Sequence, residues 1–69
     1  MINKKYIEAA FKIVNEVERR KNVSLPSMAK MQMAIDIASD MSDHHIEDAV
    51  VKGKGKLLTV NVGTIYIFA

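Results

Sequence analysis

Apolar residues recur along this chain with two different periods. Between Asn3 and about Lys21, the positions Tyr6, Ile7, Ala10, Phe11, Ile13, Val14 and Val17 follow one another at helical spacing. They predict an amphipathic helix over about 3–21, with Asn3 as its N-cap and Arg19, Arg20 and Lys21 at its C-terminal end. A second helix is predicted over about 26–41, with Pro26 in its first turn. Its polar face, Gln32, Asp36, Ser39 and Asp40, is narrow. Met28, Met31, Met33, Ala34, Ile35, Ile37, Ala38 and Met41 take most of the rest, so this helix is expected to be buried on more than one side. Residues 43–51 allow two readings: a short third helix capped by Ser42 or Asp43, or a continuation of the second.

Beyond the lysine-glycine run the period changes to two. Lys52-Gly53-Lys54-Gly55-Lys56 is predicted to be a basic loop. Residues 57–69 are predicted to form a two-stranded antiparallel hairpin turning at Gly63-Thr64, a pair that suits a type II′ turn. That turn pairs Val62 with Ile65, Val60 with Ile67 and Thr59 with Phe68. It sets Leu58, Val60, Val62, Ile65 and Ile67 on one face, against the helices. Thr59, Asn61, Tyr66 and Phe68 take the other. The fold class is therefore α+β in one domain, residues 1–69, with two or three helices followed by a C-terminal hairpin.

Size changes this picture. A 69-residue core rarely supplies more than about 3–5 kcal/mol of net stability. The chain has no cysteine, so neither disulfides nor thiolate metal sites can supplement it. Yet 49% of its residues are hydrophobic, and the hairpin presents an open apolar edge. Those features predict a homodimer through the hairpin edge, the methionine-rich helix, or both. Met31, Ile35, Met41, Val60, Ile65 and Ile67 are its expected interface residues.

Charge is laid out in blocks. Residues 1–22 carry six basic against three acidic groups, residues 23–48 one against five, and residues 49–69 three lysines and no acid. Alternating blocks suit self-association or a mixed-charge protein partner better than a continuous polyanion. No segment approaches the roughly 20 apolar residues needed to span a bilayer. The N-terminus carries no export pattern, so a cytoplasmic protein is expected.

Little of the sequence points to catalysis. Ser42, His45 and Asp48 spell the letters of a triad, but there is no nucleophile elbow and little chain from which to build a cleft. Gly53-Lys54-Gly55-Lys56 lacks the spacing and the hydroxyl of a phosphate loop. His44 and Asp48 have a ligand-like i,i+4 spacing, yet the adjacent His45 would point about 100° away on a helix. The plainer reading is a polar helix start, so neither a metal nor a cofactor is expected.

The function expected is that of a small, non-enzymatic intracellular binding protein, an inhibitor or modulator of a larger protein acting by surface occlusion. A phage or mobile-element accessory factor would match its size and its lysine-rich, isoleucine-rich composition. The expected contact groups are an acidic stripe, Asp36, Asp40, Asp43 and Glu47, with Lys52, Lys54 and Lys56 and the rings of Tyr66 and Phe68. The alternative is a nucleic-acid-binding regulator of winged-helix outline that uses the lysine loop. In that outline residues 42–51 would be the reading helix, and its acidic groups oppose base readout.

Overall fold

A computed structural model describes residues 2–69. Two helices, α1 (Lys4–Lys21) and α2 (Ser27–Asp43), precede three strands, β1 (Val51–Lys54), β2 (Leu57–Asn61) and β3 (Ile65–Phe68). The strands form one antiparallel sheet in the order β1-β2-β3, with the helices on one face. The α+β class holds, with three strands in place of two. Among the described residues, no helix is long and apolar enough to cross a membrane.

Both helices stop for a local reason. Asn3 caps α1, its side-chain oxygen accepting from the Lys5 N–H at 3.0 Å. At the other end Asn22 takes the left-handed conformation, and the Val23 N–H reaches back to the Glu18 carbonyl at 3.1 Å. The end of α2 repeats this device. His45 is left-handed (φ 55°), its N–H bonds the Ser42 carbonyl, and the Ile46 N–H bonds the Met41 carbonyl at 2.9 Å. This is the Schellman arrangement, with histidine where glycine is usual. At its start, α2 is preceded by Pro26, whose carbonyl accepts the Lys30 N–H at 2.9 Å.

No third helix follows. Residues 46–50 have neither helix nor strand pairing, and the expected basic loop is largely strand β1. Val51 pairs with Val60, Lys52 with Thr59, Gly53 with Leu58 and Lys54 with Leu57. Strand pairing overrides the local turn signal of Gly53, while Gly55 forms the β1–β2 turn. Gly53 is needed there, because a Cβ would collide with the Leu57 carbonyl. The winged-helix outline therefore loses its reading helix.

The second hairpin is displaced by one residue from the expected register. Asn61 pairs with Ile65, Val60 with Tyr66, Thr59 with Ile67 and Leu58 with Phe68. The loop is accordingly three residues, Val62-Gly63-Thr64, closed by a 3.1 Å bond from the Val62 N–H to the Thr64 carbonyl. A one-residue slip reverses the faces of a strand. Tyr66 and Phe68 turn inward, half-buried and stacked on one another with ring centroids 6.5 Å apart. Ile65 and Ile67 turn outward.

The core lies between the two layers. Helix α1 contributes Tyr6, Ala10, Ile13, Val14 and Val17; α2 contributes Ala34, Ile37, Ala38 and Met41; the sheet side contributes Val51, Leu58, Val60 and Val62. Met41 and Val60 are thus enclosed within their own subunit, which removes them as dimer contacts. Helix α2 is apolar on two sides but buried on one, leaving Met28, Met31 and Ile35 exposed.

Candidate protein-binding face

The register decides what the sheet shows to solvent. Inward positions alternate with outward ones. The outer face therefore carries Lys52 and Lys54 from β1, Leu57, Thr59 and Asn61 from β2, and Ile65 and Ile67 from β3. Leu57, Ile65 and Ile67 are 56%, 61% and 65% exposed. Lys52, Thr59 and Ile67 lie side by side across the three strands. The face is thus graded, cationic along β1 and aliphatic along β3, with Thr59 and Asn61 between.

These lysines carry uncompensated charge. Among the described residues, no carboxylate lies within ion-pair distance of Lys52, Lys54 or Lys56. The Lys21 ammonium reaches the Lys56 carbonyl at 2.7 Å and adds a further cation at the β1–β2 turn. No acidic side chain occurs after Asp48. A shallow depression of about 470 Å³ opens at the other end of the face, lined by Val50, Lys52, Asn61 and Ile65 among others.

The acidic stripe expected along a continuous helix is dispersed. Asp36 stays exposed on α2 and accepts from the Gln32 amide at 3.1 Å. Asp40 is half-buried and accepts the Tyr66 hydroxyl proton. Burial of the ring, with the Asp40 carboxylate beside it, pushes the Tyr66 phenol up to about 12. Asp43 is exposed at the last turn of α2. Glu47 lies beyond the helix and pairs with Lys5, which lowers the Glu47 carboxyl and raises the Lys5 ammonium. Asp40 and Tyr66 therefore form a cross-layer tie between α2 and β3.

The histidines also separate. The His44 ring packs on Gly63 with its Nδ1 2.9 Å from the Asp40 carbonyl, and His45 forms the left-handed turn. His44 and Asp48 do not share a helix face, because α2 ends at Asp43. Among the described residues, no group of three or more histidine or acidic side chains could hold a metal ion.

Of the residues expected at contacts, Lys52, Lys54, Ile65 and Ile67 fall together on the outer sheet face. Met31 and Ile35 form a separate exposed strip on α2. Leu57 and Thr59 belong to the sheet patch but were expected in the hairpin without a contact role. Their position depends on β1, whose glycine and lysines hide its strand character. No protein-family model matches this chain, nor does a curated protein or a solved structure.

Proposed function

We propose that this is a small, non-enzymatic cytoplasmic protein that modulates a larger protein by covering part of its surface with the outer face of the sheet. The observation that supports the reading is the placement of Ile65 and Ile67, well exposed, on the same face as the unpaired Lys52 and Lys54. Isolated exposed aliphatics are ordinary. A cluster on one sheet face, flanked by charge of one sign, is the pattern of an interaction surface. The partner surface is apolar at its centre and carries carboxylates along one side, where they meet Lys52 and Lys54.

Nucleic acid suits this face less well. The lysines would serve phosphates, but no aromatic ring is available on the outer face to stack a base, since Tyr66 and Phe68 point inward.

The test is affinity capture from nuclease-treated cells with three tagged proteins: wild type, Ile67→Glu and Met28→Glu. A protein retained by wild type and Met28→Glu but lost with Ile67→Glu supports the reading. Its purified form should bind Ile67→Glu more weakly by about 2 kcal/mol, roughly thirtyfold. A partner held equally by Ile67→Glu, or a nucleic acid with a steep salt dependence in place of a protein, overturns it.

A further inference from the structure

Ahead of β1 the chain passes from Ile46 to Val50 without a sheet partner. Among the described residues, no backbone hydrogen bond outside helices and strands involves a group from Glu47 to Val50. Burial nonetheless alternates along this stretch. Asp48 is exposed, Ala49 half-buried, Val50 65% exposed, Val51 buried and Lys52 exposed, which is the two-residue period of an extended strand. Strand β1 has only β2 beside it in the sheet. A groove of about 460 Å³ between α1 and residues 47–51 leaves room along the other side.

The stretch reads Glu47-Asp48-Ala49-Val50-Val51-Lys52-Gly53-Lys54, acidic in its first half and basic in its second. Such a segment complements itself when two copies run antiparallel. A two-fold axis through the sheet pairs residues that share a face. Centred on Val50, it sets Asp48 against the partner's Lys52 and Lys52 against the partner's Asp48, with the two Val50 side chains between them. Ala49 then meets the partner's Val51 on the inner face. Centred on Val51 instead, it would still set Asp48 against Lys54 but would place Val50 against Lys52; centred on Lys52, it would set lysine against lysine.

We infer that a second copy of this chain docks on the β1 edge in the Val50-centred register, joining two three-stranded sheets into one of six strands. The partner is a copy of the chain because the segment's own charges supply both halves of the match. Lysines on an edge strand ordinarily oppose pairing. Here Lys52 faces Asp48 and Lys54 falls opposite Ile46 at the end of the seam, so this register pairs opposite charges and keeps the two Val50 side chains together, which the others do not. Edge pairing also supplies partners for the backbone groups of residues 48–52, and it makes the two outer faces continuous through Val50. The β3 edge, the hairpin edge left open once β1 pairs with β2, carries only Ile65, Tyr66, Ile67 and Phe68 and has no charge to fix a register.

Sedimentation equilibrium of the full chain, over roughly two decades of concentration, tests this. The expected species at high concentration has twice the 7.7 kDa chain mass. Asp48→Lys and Lys52→Glu each place like charges together at both ends of the seam and weaken the dimer about tenfold or more. Combining them exchanges the signs, restores both pairs and returns the dissociation constant to near the wild-type value. Both side chains are exposed, and an unchanged circular dichroism spectrum verifies the fold of each variant. A monomer at every concentration overturns the inference. So does a dimer that the single substitutions leave unaffected, or one that the exchange does not restore.

Discussion

The imidazole of His44 fills the space that a Cβ at position 63 would need. His44 closes α2, and Gly63 lies in the β2–β3 loop with φ at 96°, so the contact fastens the end of the second helix to the tip of the hairpin. Gly63→Ala should lower the unfolding free energy by about 2 kcal/mol or more, from the positive φ and the overlap together. Adding His44→Ala should recover about 1 kcal/mol against the additive expectation, because only the overlap is relieved. Urea denaturation of the four proteins of this cycle is the measurement. Additive losses would mean that the ring does not constrain position 63.

The observed register makes neighbouring residues on β3 unequal. Ile67 faces solvent and Phe68 packs against the core. Ile67→Thr should change stability by no more than about 0.5 kcal/mol, whereas Phe68→Ala should cost about 1–3 kcal/mol. The two-residue turn at Gly63-Thr64 predicts the reverse order, so one pair of denaturation curves separates the registers.

That contrast also marks where the sequence stops being informative. Both helices are legible from their apolar spacing and their ends, and with them the α+β class. The face of β3 is not legible, because Ile65, Tyr66, Ile67 and Phe68 are all apolar and no polar residue marks the outer side. The length of the loop decides the face, and Gly63 permits a two- or a three-residue loop. Strand β1 is hidden for a different reason. Its glycine and lysines resemble a turn, and only the fit of Gly53 against the Leu57 carbonyl and of Val51 against Val60 makes it a strand. The candidate face inherits both ambiguities. Its lysines and isoleucines are conspicuous in the sequence, but their shared orientation exists only once β1 is paired and β3 is in register.

Tyr66 should make the protein sensitive to alkali. Its phenol lies above its ordinary value of 10.0, at about 12, because burial and Asp40 both disfavour the phenolate. The neutral form is the one the fold favours. Its contribution is therefore complete below pH 10 and is lost as pH rises from about 10 to about 12. Tyr66→Phe should be less stable than wild type at neutral pH and should lose less on going to alkali. Ultraviolet titration of the phenolates should show one tyrosine near 12 that is missing from the variant. A wild-type titration without that late step would contradict the burial of the ring beside Asp40.

Glu18 should govern part of the acid limit. Its side chain is only 13% exposed and accepts from the Leu25 N–H at 2.8 Å and the Lys30 ammonium at 2.7 Å, tying α1 to both the connector and the start of α2. Those two bonds, the lysine's foremost, hold its carboxyl below the ordinary 4.5. A carboxyl lowered by folding stabilises the protein above its unfolded value and loses that contribution as pH falls through the folded one. Glu18→Gln keeps the shape and removes the charge. The deficit of this variant against wild type should be full at neutral pH and should shrink as the pH drops below about 4.5. Measuring urea midpoints of both proteins across that interval isolates Glu18 from Glu16 and Glu47, which titrate in the two proteins alike. A deficit that stays constant through the interval would assign the effect to packing and leave the ion pair without a role in the acid response.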